Sequence, residues 1–375
     1  MSSVYIHIPF CLQACHYCDF HFSTTLKLKD VLVDAIIKEI TIRKKEFNKV
    51  INSLYIGGGT PSILQNIDYI KIFNAIKQHS SISSSTEITL EINPEDATKE
   101  KLSFYRSLGV NRLSIGAQSL NNKVLKWMNR AHDKKQIIKS VELSKSVGFS
   151  NYNIDFIYGL PLSINRNLEE EINELISLEP NHLSCYHLTI EKGTYFNHLK
   201  SKSKLEELND ENSEKEFNQI RSILKENGLY QYEISNYCKS GSESIHNSNY
   251  WNNEPYIGIG PSAHSYDKTN RRWNISNNPI YIKRIMENDC FYELEELNKK
   301  DMFNECVLLG LRTSKGLFLE KIKGLLNKEQ QLLFNNQMNQ FLKDGLLELT
   351  DGYLHMAKKK RLLAEYVSRE FFIIK

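Results

Sequence analysis

Three closely spaced cysteines near the start of the 375-residue chain have the residue type and spacing of an iron-sulfur site. Cys11, Cys15 and Cys18 follow the pattern C-x3-C-x2-C, directly after an apolar run at residues 5–10 (YIHIPF). Four thiolates usually hold a [4Fe-4S] cluster. A set of three leaves one iron without a cysteine, so the sequence predicts a cluster whose fourth iron takes a ligand from a bound cofactor or substrate.

Two other cysteine chemistries fit this pattern less well. A structural zinc ion prefers four protein ligands, and here only His16 and His21 lie nearby, with no second cysteine pair downstream. A disulfide framework is disfavoured by the odd total of seven cysteines and by first residues that read as a strand rather than a secretory signal. The other four are scattered and are predicted to be small apolar residues: Cys185, Cys238, Cys290 and Cys306.

Composition and charge exclude several classes of protein. The chain is 41% hydrophobic, enough for a large core and more than one domain. Its 48 basic and 45 acidic residues give a net charge of +3, too balanced to predict a nucleic-acid partner. Since no apolar run approaches the roughly 20 residues that span a bilayer, we expect a cytoplasmic protein rather than an integral membrane protein.

Strand-like runs alternate with amphipathic segments of helix length through the first half of the chain. This alternation predicts an α/β fold, a partial barrel of six parallel strands with helices outside, in which ligands bind at the carboxyl ends of the strands. The predicted strands lie at residues 4–8, 54–56, 88–92, 112–115, 154–158 and 183–190, and the predicted helices at 30–47, 63–76, 99–108, 134–147 and 168–178.

The second half has a different pattern. A helix at 213–227 and a strand at 230–234 precede a predicted loop at 236–253, and a helix at 303–311, a helix at 327–342, a hairpin at 346–354 and a last helix at 357–371 follow. That order predicts a C-terminal α+β module like a winged helix. We therefore divide the chain into a barrel at 1–235, a connecting segment at 236–295 and a C-terminal domain at 296–375, with the last boundary near residues 293–300.

Polar and glycine-rich motifs lie at or near the ends of the predicted strands. GGGTP at 57–61 follows the second strand, EINP at 91–94 closes the third, GAQS at 116–119 follows the fourth, and Asp155 lies in the fifth. Glycines remove side chains where a backbone must approach a ligand closely, although a tight turn alone would also explain them. Because the carboxyl ends of parallel strands meet at one rim, these motifs are expected to lie together.

These motifs, with residues 5–20, Asn129-Arg130 and residues 153–161 (NIDFIYGLP), resemble the oxygen-independent coproporphyrinogen III oxidase superfamily of radical S-adenosylmethionine (SAM) proteins. The resemblance covers most of the chain and implies that SAM chelates the fourth iron. It implies cluster ligation by Cys11, Cys15 and Cys18, one SAM contacted by Tyr5, Gly58, Glu91 and Arg130, and a second SAM site at Gly59, Thr60, Gln118 and Asp155.

Two features separate the branches of this superfamily. Asp19 and Phe20 follow Cys18, whereas the oxidases have a fourth cysteine two residues after the third, and only four residues precede Tyr5. Residues 246–251 (HNSNYW) match H-N-x-x-Y-W, which is similar to the signature of the haem-chaperone branch, and residues 256–260 (YIGIG) also look familial. The resemblance implies haem bound through His246, since neutral imidazole ligates iron. The alternative is a loop histidine whose hydrogen bonds are satisfied beside a packed tryptophan.

The sequence therefore favours a haem chaperone that binds a [4Fe-4S] cluster, SAM and haem and passes haem to acceptor proteins of unidentified kind. An oxygen-independent coproporphyrinogen III oxidase is the second hypothesis, and a zinc-bound interaction module is the third. Cleavage of SAM, catalytic turnover, the second axial haem ligand and the oligomeric state stay open on the sequence alone.

Overall fold

A computed structural model describes residues 2–47 and 49–374. In this part of the chain, fifteen strands form one sheet of 12 strands and one of 3. The strands are β1 Ser2–Ile8, β2 Ile51–Gly58, β3 Glu87–Ile92, β4 Arg112–Gln118, β5 Tyr152–Tyr158, β6 His182–His187, β7 Tyr230–Gln231, β8 Asn236–Cys238, β9 Tyr256–Ile259, β10 His264–Tyr266, β11 Asn270–Asn274, β12 Tyr292–Glu296, β13 Leu317–Phe318, β14 Leu347–Thr350 and β15 Tyr353–Met356.

Helices connect and cover these strands. They are α1 Lys29–Ile42, α2 Asn66–Lys77, α3 Lys99–Leu108, α4 Asn122–Trp127, α5 Lys134–Ser146, α6 Leu168–Ser177, α7 Tyr195–Ser201, α8 Asp210–Glu226, α9 Ile245–Trp251, α10 Asn278–Glu287, α11 Lys299–Arg312, α12 Leu319–Ile322, α13 Lys328–Lys343 and α14 Ala364–Phe371, with short 3-10 helices at Pro61–Ile63, Pro94–Asp96 and Lys358–Leu363. Among the described residues, no helix is both long and apolar enough to cross a bilayer.

Strands β1 to β6 lie side by side in sequence order, and all five pairs are parallel. Alternate side chains point to opposite faces of a strand. Ile6, Ile56 and Leu90 point outward and are fully buried in the main hydrophobic core, to which the covering helices also contribute. The opposite face carries polar groups such as Tyr55 and Glu91. This arrangement confirms the predicted partial barrel of six strand and helix units.

The sheet continues on both sides of the barrel strands. Strand β9 pairs with β1 in parallel, and β10, β11 and β12 extend the sheet in antiparallel order. On the other side, β8 and β7 follow β6. The prediction of a loop at 236–253 was wrong, because β8 and α9 lie within it. Short strands and a seven-residue helix rich in asparagine and serine give little periodicity to recognise.

A separate core holds the C-terminal domain together. Phe303, Phe334, Phe341 and Phe371 meet there, and the three-stranded sheet has the order β13-β15-β14. This order of helices and a small sheet agrees with the predicted winged-helix-like module. Strand β12 still belongs to the large sheet and α11 begins at Lys299. The three domain ranges remain predictions.

Helix α13 begins with a reciprocal cap that gives a first prediction. The Gln330 backbone N–H donates to Asn327 Oδ1 at 2.9 Å, and the Asn327 N–H donates to Gln330 Oε1 at 3.0 Å. We expect Asn327→Ala to lower the free energy of unfolding of this domain by about 1 kcal/mol. Chemical denaturation followed by circular dichroism measures the effect. Asn336→Ala, at an exposed site inside α13, is the control, and an equal loss in both variants would contradict the capping role.

Candidate iron-sulfur and cofactor site

The three cysteines lie in a loop that leaves the carboxyl end of β1. Backbone hydrogen bonds close this loop, since the Cys11 N–H donates to Ser23 O at 3.1 Å and the Cys18 N–H donates to Cys15 O at 3.3 Å. All three thiols are partly exposed. His16, one of the two nearby histidines that could have joined a zinc site, instead places Nδ1 2.8 Å from the Trp127 carbonyl oxygen. The loop therefore presents three sulfurs at the mouth of the barrel.

Two polar side chains contact these sulfurs. Arg130 Nη1 donates to Cys15 Sγ at 3.1 Å, and Thr60 Oγ1 donates to Cys11 Sγ at 3.5 Å. Burial raises the pKa of Cys11 and raises that of Cys18 to about 12. Iron binding would therefore displace protons, because thiolate is the ligating form. A guanidinium beside the sulfurs suits an anionic cluster with its thiolates.

The donor set fits a cluster better than a single metal ion. Within residues 2–47 and 49–374, no three histidine, cysteine, aspartate or glutamate side chains converge as ligands of one ion. A [4Fe-4S] cluster places each cysteine on a different iron, so it does not need three sulfurs at one point. Three thiols in one loop match the number that a cluster with one open iron would need, and ligation by Cys11, Cys15 and Cys18 stays a prediction.

The glycine triplet packs closely against the start of the cysteine loop and forms hydrogen bonds with it. A Cβ at Gly59 would lie 2.5 Å from the Phe10 carbonyl oxygen, and one at Gly57 would lie 2.8 Å from the Glu91 carboxyl carbon. Gly58 has φ +115°, a conformation that other residues rarely adopt. The Gly59 N–H donates to Ile8 O at 2.9 Å and the Thr60 N–H to Phe10 O at 2.7 Å. The protein's own packing therefore already requires Gly58 and Gly59, and it leaves little room for a side chain at Gly57.

Glu91 lies at the centre of the predicted first SAM site. Its carboxylate accepts hydrogen bonds from Tyr55 Oη at 2.7 Å and from the Gly58 N–H at 3.0 Å. Burial and, to a smaller extent, the Asp155 carboxylate raise the pKa of Glu91 to about 7, while the two hydrogen bonds lower it. Tyr5 is also predicted to contact the first SAM, and its hydroxyl lies 2.9 Å from His7 Nδ1.

The raised pKa of Glu91 predicts a pH effect on stability. Between its ordinary value of 4.5 and about 7, the folded state binds more protons at this site than the unfolded state. Stability from this group is therefore greatest below the lower value and is lost as the pH rises through the upper one. Between pH 5 and pH 8, we expect the free energy of unfolding of the cluster-free protein to fall by on the order of 2 kcal/mol more than that of Glu91→Gln.

Denaturation of both proteins across this pH range measures the difference. Glu142→Gln, at an exposed position of α5, is the matched control and should follow the unsubstituted chain at every pH. A constant difference between wild type and Glu91→Gln would show that Glu91 does not titrate in this range.

Arg130 links the cysteine loop to the ends of two strands. Its Nη2 donates to Asn93 Oδ1 at 2.7 Å and to the Gly116 carbonyl oxygen at 2.8 Å. Its Nε is buried and has no hydrogen-bond partner among the described residues. An unpaired buried donor is costly, so this atom indicates a place where a bound acceptor would be stabilised.

The residues of the predicted second SAM site lie on neighbouring strands. Asp155 accepts hydrogen bonds from Asn153 Nδ2 at 2.7 Å and from Ser114 Oγ at 3.5 Å, and burial raises its pKa. Gln118 ends β4 with φ +69°, where the pairing of β4 with β5 shifts register. Its side chain has no hydrogen bond to the described residues. The structure thus brings Asp155 near Glu91 and leaves the Gln118 amide available.

His246 is not brought to the rim. It is 1% exposed and lies near the amino ends of β2 and β3, where its Nδ1 is 2.8 Å from Ser53 Oγ and its Nε2 is 2.8 Å from Tyr250 Oη. The His246 N–H also donates to Glu87 Oε1 at 2.9 Å. Burial and the Arg112 charge lower the pKa of His246 to about 3. In this conformation both ring nitrogens are engaged, so the predicted haem ligation by His246, which nothing in the structure tests, would require one of these two contacts to break.

The rest of the H-N-x-x-Y-W segment joins the barrel to the C-terminal domain. The Trp251 ring lies under the Arg312 guanidinium of α11, 4.7 Å from its carbon. Arg312 in turn donates through Nε to Glu233 Oε2 at 2.9 Å. Trp251 therefore has a structural role where the barrel meets the C-terminal domain.

Sequence reasoning missed three residues of the barrel interior. Tyr55 holds the Glu91 carboxylate, and His7 bridges Tyr5 and the His21 carbonyl oxygen at 2.9 Å each. Arg112 is 1% exposed and its Nε has no partner among the described residues. A signal was present, because these residues occupy the same alternate positions as Tyr5 and Glu91 along β1 to β4.

Comparisons with known proteins give the family. Residues 5–175 match the radical SAM superfamily, and residues 297–363 match the HemN C-terminal domain. The heme chaperone HemW of Bacillus subtilis is 33% identical over 375 residues, covering 99% of each chain. That of Lactococcus lactis is 32% identical over 373 residues, covering 99% of this chain and 97% of the relative.

The structural comparison supports the fold alone. Coproporphyrinogen III oxidase (HemN) from Escherichia coli, a radical SAM enzyme, superposes with a TM-score of 0.83 at 21% identity, covering 98% of this chain and 89% of the oxidase. The Bacillus subtilis and Lactococcus lactis relatives match this chain over nearly their whole length. The chain belongs to the HemW family of the radical SAM superfamily.

Proposed function

We propose that the protein is a haem chaperone that binds a [4Fe-4S] cluster, SAM and haem and transfers haem to proteins that require it. The observation that carries this proposal is the 33% identity to the Bacillus subtilis heme chaperone over 99% of both chains. The open set of three cysteines at the barrel mouth supports the cluster and SAM, which membership of the radical SAM superfamily implies.

Individual residues have distinct roles in this proposal. The cluster is held by Cys11, Cys15 and Cys18, with Arg130 and Thr60 stabilising two of the sulfurs. When bound, the cluster supplies an electron to SAM. The first SAM is contacted by Tyr5, Gly58, Glu91 and Arg130, and the second by Gly59, Thr60, Gln118 and Asp155. Support for the first set comes from the unpaired Nε of Arg130 and from the carboxylate of Glu91 beside Gly58.

A coproporphyrinogen III oxidase is the second candidate, favoured by the fold likeness to the Escherichia coli enzyme. At 21% identity, that structural similarity shows a shared fold but does not show a shared reaction. In addition, Asp19 and Phe20 follow Cys18, where the oxidases have a further cysteine in their motif. We therefore rank the chaperone first and expect no decarboxylation of propionate side chains.

One anaerobic preparation tests both candidates. The cluster is reconstituted, haem is titrated, the haem complex is mixed with apomyoglobin as a probe acceptor, and coproporphyrinogen with SAM is assayed in parallel. We expect one haem per chain, transfer faster than that from a haem complex of serum albumin, and no protoporphyrinogen. Absence of haem binding, or protoporphyrinogen formed over many turnovers, would overturn the proposal.

The partners follow from the same proposal. Haem is the cargo, and the acceptors are haem-requiring proteins whose identity the chemistry does not specify. The balanced charge gives no reason to propose a nucleic-acid partner. A cytoplasmic location remains a prediction.

A further inference from the structure

The inner face of the sheet carries a histidine that the proposed function has not yet used. His264 begins β10, is exposed, and neither ring nitrogen forms a hydrogen bond to the described residues. The contrast with His246 is complete, because that ring is buried and both of its nitrogens are engaged. An exposed imidazole without partners is the state that iron ligation requires.

Strand register places His264 on the barrel side of the sheet. Tyr5 pairs with Gly258 across β1 and β9, and Tyr256 pairs with Tyr266 across β9 and β10. Side chains of paired residues share a face, and residues two apart on one strand do so as well. His264, two residues before Tyr266, therefore points to the same side as Tyr5, toward the barrel mouth that also carries the cysteine loop.

One aromatic ring lies beside this position, and two more lie further along the same face. The Trp273 ring lies nearly parallel to that of His264, with 6.2 Å between centroids and 28° between planes. Tyr256 and Tyr266 follow on the same face, 6.3 Å apart. Flat apolar rings beside a free imidazole suit a flat apolar macrocycle with a central iron. Partial burial and the nearby Arg271 lower the pKa of His264, which favours the neutral ligating form.

Neighbouring histidines are less suited to bind iron. His7 is 6% exposed and both of its nitrogens are engaged, by Tyr5 Oη and by the His21 carbonyl oxygen. His21 uses its Nε2 on Asn278 Oδ1 at 2.7 Å. His264 differs from both, because both of its nitrogens are available.

A chain of contacts connects His246 to this face. His246 Nε2 meets Tyr250 Oη at 2.8 Å, and the Tyr250 ring packs edge-on against Tyr256 at 4.5 Å between centroids. Tyr256 pairs with Tyr266, two residues from His264. His246 thus supports the strands that present His264 and acts as a positioning residue.

We propose that His264 is an axial ligand of the haem iron, bound on the inner face of β9 to β11 beside Trp273, and that His246 positions this site without contacting iron. This inference rests on the proposed haem-binding function. It identifies where the cargo binds and which imidazole holds it.

The experiment uses the full-length protein with its cluster reconstituted and haem as the titrant. His264→Ala and His246→Ala are compared with His355→Ala, a histidine of β15 in the C-terminal domain. We expect His264→Ala to lower haem affinity at least about tenfold and to lose the histidine-ligated absorption and paramagnetic spectra. Added imidazole should restore those spectra in His264→Gly. His246→Ala should weaken binding but keep the spectral type.

Each remaining outcome contradicts a specific claim. Unchanged affinity and spectra in His264→Ala would overturn the inference while leaving the haem chaperone intact. Loss of the histidine-type spectrum in His246→Ala alone would return ligation to His246. If the unsubstituted protein binds no haem, the proposed function itself fails. Circular dichroism and iron content of every variant confirm that fold and cluster are retained.

Discussion

Cys15→Ser is expected to reduce cluster content to near background. The structure offers three thiols at the barrel mouth, and Cys15 is the one that receives a hydrogen bond from Arg130 at 3.1 Å. With only two thiolates left, a cubane would have two irons without protein ligands, and cluster assembly should fail. Iron and sulfide per chain, visible absorption, and the paramagnetic signal of the reduced protein with and without SAM measure this loss.

Cys290→Ser is the matched control, because Cys290 is exposed and lies outside the loop, just before β12. It should retain full iron and sulfide and the SAM-sensitive signal. If Cys15→Ser kept a complete cluster, the three-cysteine site would be wrong. Zinc without iron or sulfide in the anaerobically purified protein would instead support the zinc-bound module.

Glu39→Ala is expected to lower the free energy of unfolding by about 3–5 kcal/mol, a large loss for a single substitution. Glu39 is fully buried on α1. Its Oε1 accepts from Arg43 Nη1 at 3.1 Å and from Asn274 Nδ2 at 2.8 Å. Its Oε2 accepts from Tyr281 Oη at 2.5 Å and from the Gly260 N–H at 2.8 Å.

The cost arises because removal of the carboxylate leaves several buried donors without an acceptor, including the Arg43 charge. Chemical denaturation gives the change in the free energy of unfolding. Glu46→Ala removes a second partner of Arg43 that is 43% exposed, and it should cost about 1 kcal/mol or less. Equal effects of the two substitutions would show that the buried network does not hold α1 against β9 and β11.

The sequence predicted those elements whose local pattern and tertiary packing agree. Helix α3 was predicted with its observed bounds, Lys99–Leu108, because Thr98 caps it and Gly109 ends it in a left-handed conformation. The end of helix α1 was predicted five residues too late, at residue 47, whereas the helix ends at Ile42. Strand β9 is stabilised by pairing with β1, which is distant in sequence, and the local pattern does not report this neighbour.

The candidate site was predictable only in part for a similar reason. Position near the end of the third strand indicated Glu91, and position within the fifth strand indicated Asp155, since parallel strands bring their carboxyl ends together. The hydrogen bonds of the glycine loop depend on Phe10 and Ile8, which lie about fifty residues earlier in the chain. The placement of His246 depends on Ser53 and Glu87, and no feature near residue 246 indicates that its ring is enclosed.

The position of β9 has a consequence for synthesis of the chain on the ribosome. Strand β1, which leads into the cysteine loop, pairs on one side with Ile51–Gly58 and on the other with Tyr256–Ile259. Translation proceeds from the amino end, so one flank of β1 keeps unpaired backbone donors and acceptors until some two hundred further residues have emerged. Iron delivered to the nascent polypeptide would meet a cysteine loop whose supporting sheet is incomplete. We therefore expect the metal to be loaded after the chain is released from the ribosome.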